Sequence, residues 1–391
     1  VNEMNKVVFP NEISGTENLQ QQFEPYGWYA EMRKNSPVHY DEKQQVWNVF
    51  LYSDVERVLT DYHLFSSDTG KRIAGSLALK EKGITEMDPP DHGKRRALYT
   101  KAFSTRTLQE WEPRIQEISR HLLEEVKEKQ SIKILGDLAT PMPVIVIADL
   151  LGVPSSDWML FKQWSDVLIS SGTRETYEDI NLKKEEIMKE MAVYLSPIIQ
   201  EKRENPAKDF LSDLTQTEYK GQKLSDREII DIAISLLLAG NVTTSTLLFS
   251  VFYCFLLDRP GVYRELRENP QLVDQAIEEV LRFRPPAQVL MRKVQEDTDM
   301  FGSLMKKGEI VMAWLGSANR DENTFAQGDQ FDIHRPNSNK HLSFGKGCHL
   351  CLGAPLSRLE AKVMLTEMIK CYSDISIGGF DNDLILNVTR G

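Results

Sequence analysis

Between Asp231 and Asp258 lie 26 residues without a charged side chain, Ile232 to Leu257, enough to cross a bilayer as one helix. Only two environments suit such a segment: hydrocarbon, or the interior of a folded protein. Its middle reads Gly240-Asn241-Val242-Thr243-Thr244-Ser245-Thr246, and its flanks are acidic. Polar groups at the would-be bilayer centre, with no basic flank to set an orientation, argue against a span. The chain is therefore expected to build its core around one buried helix, and 391 residues suffice for a large core.

Most of the remainder also reads helical. Thr107 to Val126 carries Leu108, Trp111, Ile115, Ile118, Leu122 and Val126 on one stripe, and Glu185 to Glu201 repeats the pattern. Strand candidates are short: Val46 to Leu51, Ile132 to Leu135 and Ile310 to Leu315. The fold class expected is mainly α with small β-sheets (α+β). No Pro/Gly/Ser-rich linker, low-complexity tract or repeat divides the sequence, so residues 1–391 are read as one domain. A net charge of −11 argues against general affinity for nucleic acid or anionic membrane. Four scattered cysteines make no disulfide framework, and Val1 to Pro10 lacks a signal pattern; both point to the cytoplasm.

Chemistry concentrates in Phe344-Gly345-Lys346-Gly347-Cys348-His349-Leu350-Cys351-Leu352-Gly353. Three glycines in ten residues mark a sharply turning loop. Pro355 then occupies a first-turn position, with Leu356, Leu359, Val363 and Met368 at helical spacing. Cys351 thus lies at or just before a helix start, where free N–H groups and the helix dipole stabilise a thiolate and lower its pKa. Such a thiolate suits a soft metal. Cys348 and Cys351 also spell Cys-x-x-Cys, a redox dithiol or half a zinc site. Neither reading fits well, because Cys254 and Cys371 stand apart in apolar helical surroundings and no alternating strand–helix pattern precedes the motif.

This run resembles the haem-binding loop of the cytochrome P450 family, Phe-Gly-x-Gly-x-His-x-Cys-x-Gly followed by Leu-x-Arg. Phe344, Gly345, Gly347, His349, Cys351, Gly353, Leu356 and Arg358 match it. The resemblance implies a triangular-prism fold with haem b (iron protoporphyrin IX) between the long central helix and the helix after the cysteine loop, and Cys351 as axial ligand of the iron. Cys348 is then incidental.

Other segments resemble the family in chain order. Glu279 and Arg282, three apart on one helical face, would pass alone for a surface ion pair. They match the family's Glu-x-x-Arg helix, which implies a structural cluster with Arg335. His92 and Arg96 match a His-x-x-x-Arg that reaches the haem carboxylates, and Arg292 and His349 match two further carboxylate positions; charge-assisted hydrogen bonds are what such groups require. Ala239-Gly240-Asn241-Val242-Thr243-Thr244 resembles the oxygen-binding segment Ala-Gly-x-acid-Thr-Thr. There Gly240 is expected to leave room over a flat cofactor, and the Thr243 hydroxyl to bond back to the carbonyl four residues earlier, loosening the helix into a polar notch. Two departures stand out: Val242 replaces the usual acid, which puts the acid–alcohol proton route in doubt, and Ser357 replaces a common Ala, expected to matter little. The chain also stops at Gly391, short of the family's usual end, so a substrate-contacting turn is expected to be incomplete.

The implied activity is hydroxylation of a lipophilic substrate (steroid, secosteroid, terpenoid or fatty acid) by a soluble, monomeric bacterial monooxygenase. It would use O2 and electrons from a ferredoxin or flavodoxin with an NAD(P)H-dependent reductase. By family position the substrate pocket draws on Ser66 to Glu86, Leu168 to Ile180, Leu236, Ala239, Gly240 and Ala287, Val289, Leu290 and Met291. The redox partner would meet Lys94, Arg95, Lys101, Arg106 and Lys346. The alternatives are a peroxide-driven peroxygenase, motivated by Val242, and a non-catalytic haem-based sensor or carrier.

Overall fold

The uncharged run forms one α-helix, Asp226–Tyr253, continued by a wider π turn over Cys254–Asp258. Its start is fixed chemically: the Ser225 side chain accepts from the Glu228 N–H while Glu228 returns a bond to the Ser225 N–H. This is a computed structural model, and it describes residues 7–9, 12–13, 18–70, 82–100, 102–300 and 302–390. The central helix and the segment Ile134–Leu151 are long and apolar enough to cross a membrane, but half or more of each is buried within the protein. The central helix packs against the helices Pro141–Leu151, Trp158–Ile169, Tyr177–Glu204 and Ala354–Cys371. Those contacts bury Ile229, Ile232, Ile234, Leu237, Leu247 and Val251 in the main apolar core. Burial of each such side chain contributes roughly 1.5–3 kcal/mol.

The strands are few and short. A five-stranded sheet runs in the order Val38–Asp41, Val46–Val49, Ile310–Trp314, Val289–Val294, Phe65–Ser66, with only the Val46–Val49 and Ile310–Trp314 pair parallel. Its alternation divides two smaller cores. Val311 and Ala313 face one containing Val55, Leu59 and Phe65, whereas Met312 and Trp314 face another with Tyr29 and Phe50. A second sheet joins Tyr372–Phe380, Leu384–Arg390 and Ser131–Lys133.

Here one expectation is corrected. The strand anticipated over Ile132 to Leu135 ends at Lys133, and Ile134–Ala139 is a π-helical turn. The Asp383 carboxylate accepts from the Leu135 and Gly136 N–H groups at 2.8 and 2.9 Å, while Asp137 accepts from the Lys133 N–H at 2.8 Å. Satisfied by carboxylates, those N–H groups no longer need a strand partner.

Candidate active site

The cysteine loop is held from three sides. Gly345 and Gly347 have φ of 71° and 74°, where a side chain is strained, and a Cβ on Gly347 would lie 3.3 Å from the Leu59 carbonyl. The Cys351 N–H donates to the Phe344 carbonyl at 2.9 Å, closing the loop on itself. Asn319 accepts from the Leu342 N–H at 2.7 Å and donates to Ser343 Oγ, which donates to the Leu281 carbonyl. Arg358 lies 4.5 Å from the Phe344 ring centroid and donates to Glu278. Burial pushes the Glu278 carboxyl up, but His341, 3.3 Å away, and the hydrogen-bonded Arg358 more than offset this and hold it at about 2. Glu278 and His341 escaped the sequence reading; only their distant partners distinguish them from surface polar residues.

Cys351 is solvent-accessible and precedes by three residues a helix that starts at Ala354 with Pro355 in its first turn. Its expected low pKa is corrected. Burial raises the thiol pKa, and this outweighs the nearby N–H groups of Gly353 and Ala354 and the positive Arg96 and Arg358, all of which favour the thiolate. Only a bonded cation would make the thiolate the dominant form at neutral pH. A Cβ on Gly353 would sit 3.9 Å from Cys351 Sγ.

Four basic residues converge beside the loop. The His92 and His349 rings lie 4.1 Å apart, centroid to centroid, and each has a buried Nε2 without a partner. Burial lowers both pKa values; for His349, with His92 and Arg292 adding repulsion, the value falls to about 4. Arg292 is also buried, donates to the Met291 carbonyl, and among the described residues has no carboxylate at ion-pair distance. Arg96 donates to the Cys348 and Leu350 carbonyls at 3.3 and 2.6 Å. Two orphaned imidazole nitrogens and an unpaired buried guanidinium lack negative charge. A haem, with two carboxylates, fits that deficit, and Cys351 fits its iron.

Glu279, Arg282 and Arg335 come together as a buried cluster. Arg282 commits all five N–H donors: two to the Glu279 carboxylate at 2.7 and 2.8 Å, three to the carbonyls of Asn319, Gly328 and Gln330. Glu279 also accepts from Arg335 Nε, the Asp332 N–H and Ser338 Oγ.

Along the central helix Leu236, Ala239, Gly240 and Thr243 form a stripe at helical spacing that is partly or fully accessible on an otherwise largely buried helix. Thr243 Oγ1 donates to the Ala239 carbonyl at 2.8 Å, yet the helix stays regular there, so the expected loosening does not occur. Gly240 has a packing role too: its missing Cβ would meet Ile147 at 3.2 Å, so glycine admits the neighbouring helix Pro141–Leu151. Ser357 also matters more than expected, since Thr244 Oγ1 donates to its hydroxyl at 3.1 Å, joining the central and cysteine helices inside the core.

The pocket stretch 287–291 divides. Leu290 lies on the strand face with Arg292, and a Cβ on Gly345 would be 3.5 Å from it; Ala287 packs with Leu290 on the same core. Val289 and Met291 point oppositely, onto the core of Tyr29 and Trp314, and are corrected as pocket residues. Of the basic docking residues, Arg95 is corrected: it is buried, 3.6 Å from Glu228. Lys94, Arg106 and Lys346 are exposed and paired with Asp91, Glu110 and Glu56, while Lys101 and most of the Ser66 to Glu86 loop lie outside the described residues. Two surface grooves, of about 790 and 670 Å³, share no residue with the cysteine and histidine cluster.

The sequence model of the family described as cytochrome P450 matches residues 17–375. The chain is 46% identical over 380 residues to cytochrome P450(MEG) of Priestia megaterium, covering 95% of this chain and 92% of that protein. It is 34% identical over 359 residues to the erythromycin C-12 hydroxylase of Saccharopolyspora erythraea, covering 91% and 89%. Among solved structures it resembles CYP109E1 from Bacillus megaterium in complex with testosterone, with TM-score 0.86, 39% identity and coverage of 94% of this chain and 98% of that one. The corticosterone complex of the same protein gives TM-score 0.84 at 39% identity, covering 94% and 99%.

Proposed function

The chain belongs to the cytochrome P450 family of monooxygenases, and from that premise we propose that it hydroxylates a lipophilic substrate of steroid size. The observation carrying the proposal is the accessible stripe of Leu236, Ala239, Gly240 and Thr243, three apolar positions and one hydroxyl on a helix bonded through Thr244 to the cysteine helix. An apolar wall with a single polar point suits a substrate held mainly by burial. Likeness to a protein solved with testosterone and with corticosterone supports that class ahead of terpenoids and fatty acids.

Haem b, when bound, supplies oxygen activation at a thiolate-ligated iron. Cys351 would hold the iron, and the nearby N–H groups of Gly353 and Ala354 would favour its thiolate. His92, Arg96, Arg292 and His349 receive the two carboxylates, the Glu279–Arg282–Arg335 cluster fixes the loop beneath, and Phe344, Gly345 and Gly353 shape it. Thr243, its proton donated to the Ala239 carbonyl, presents lone pairs outward and orders water for proton delivery. Val242 carries no acid. Ala287 and Leu290 complete the substrate wall. Electrons come from a ferredoxin or flavodoxin with its NAD(P)H-dependent reductase, in the cytoplasm, to a monomeric single-domain enzyme.

The test is a titration of the haem protein with testosterone, corticosterone, a terpenoid panel and fatty acids, following the spin-state change, then turnover with a surrogate redox pair and with peroxide. Spin-state shifts and hydroxylated product with steroids are expected. Response to fatty acids alone overturns the substrate class. Turnover with peroxide matching that with electron donors favours the peroxygenase reading that Val242 motivates.

A further inference from the structure

Cys348 has no role in the reading above, yet its sulfur lies among the histidines assigned to the haem carboxylates. The ligating atoms of His92, Cys348 and His349 all lie within 4.8 Å of one another. His92 is 2% exposed and its Nε2, like that of His349, is buried without a partner. A tetrahedral zinc site, with bonds of roughly 2.0–2.3 Å, separates its ligand atoms by about 3.5 Å. The three groups thus need to close by on the order of 1 Å, within the reach of side-chain torsions. Two imidazoles and a thiol select a borderline-soft divalent ion over magnesium or calcium.

Charge in the neighbourhood is mixed. Arg96 and Arg292 disfavour a cation, whereas Asp88, whose carboxylate is fixed by Ser66 and the Ser67 N–H, faces the histidines and Arg292. Thiolate formation at Cys348, with its proton released to solvent, removes one positive charge from the complex. We propose that the haem-free chain binds one zinc-class divalent cation through His92, Cys348 and His349, and that this ion and haem exclude one another. The exclusion rests on the carboxylate reading of the two histidines, since each ring nitrogen serves one partner at a time.

The experiment uses the full chain, prepared without haem and with haem, titrated anaerobically with Co²⁺ as the probe and with Zn²⁺ in competition. The haem-free chain is expected to bind one equivalent, with tetrahedral visible bands and a thiolate-to-cobalt near-ultraviolet band. Cys348→Ser should remove that band, His92→Ala should weaken binding at least tenfold, and Cys351→Ser should leave both intact. Zn²⁺ should raise the thermal midpoint of the haem-free chain and slow haem uptake. A thiolate band that survives Cys348→Ser and disappears in Cys351→Ser overturns the proposal, as does a haem-free chain with no metal-dependent change in band or melting. Zinc binding with unimpeded haem uptake keeps the metal site but refutes the carboxylate reading, so the two fail separately.

Discussion

Two buried polar clusters flank the cysteine loop, and they differ in completeness. Around Glu279, five hydrogen bonds reach two carboxylate oxygens, and Arg282 has no donor unspent. Around His92 and His349, two ring nitrogens are buried with nothing to bind. A buried polar group without a partner costs roughly 1–3 kcal/mol, and two of them on adjoining rings beside a buried guanidinium suit an anionic ligand. Here the complete cluster is scaffold and the incomplete one is the candidate site.

The sharpest way to break this contrast is at the loop between the clusters. Cys351→Ala should abolish the long-wavelength Soret band of the reduced carbon monoxide complex, and Cys348→Ala should leave it in place. Loss of the band on changing Cys348 alone would reassign the ligand. In the complete cluster, Glu279→Ala strands Arg282 and Arg335 as unpaired charges, at a cost on the order of 3–5 kcal/mol. That is a large share of a domain's stability, so little haem-loaded protein should accumulate. An unchanged thermal midpoint would show that the cluster carries no such load.

The incomplete cluster should respond to pH. His349 sits at about 4 against an ordinary 6.5, mainly through burial. The unfolded chain takes up this proton near 6.5 and the folded haem-free chain only near 4, so the contribution is intact above 6.5 and is lost as pH falls through that window. Melting of the haem-free chain relative to His349→Gln should show the slope, and haem loading should flatten it, because carboxylates favour the protonated ring. Equal slopes with and without haem would separate His349 from the carboxylates.

Smaller effects test the central helix. Thr243→Ala should keep substrate binding and oxygen consumption but divert reducing power to peroxide, and Val242→Glu should raise product formed per reduced nicotinamide. Unchanged coupling in Thr243→Ala would mean that protons arrive another way. Ser357→Ala, which leaves the Thr244 hydroxyl without its buried acceptor, should cost about 1 kcal/mol in chemical denaturation. No loss at all would mean that Thr244 finds a different acceptor.

Local signals made much of this legible. The uncharged run, the glycines of the cysteine loop and Pro355 specify their elements from neighbouring residues alone. Errors arose where a partner distant in sequence decides: Asp383 turns Ile134 and Leu135 out of a strand, and Glu228 draws Arg95 inside. The pocket stretch failed differently. A run of apolar residues looks uniform until strand pairing assigns faces, and then Val289 and Met291 lie opposite Leu290. That Gly240 also makes room for Ile147 depends on a helix packing that no local residue pattern specifies.

The donors of Arg282 reach well beyond its own helix. With Arg335 they grip the carbonyls of Asn319, Ala326, Gln327, Gly328 and Gln330, a stretch with almost no regular structure of its own. That stretch takes its shape from guanidinium groups, one of them on the helix Val273–Phe283. The cysteine loop hangs from the same stretch through Asn319. The shape of the cofactor's loop thus depends, through Asn319, on a guanidinium that belongs to a helix about seventy residues earlier in the chain.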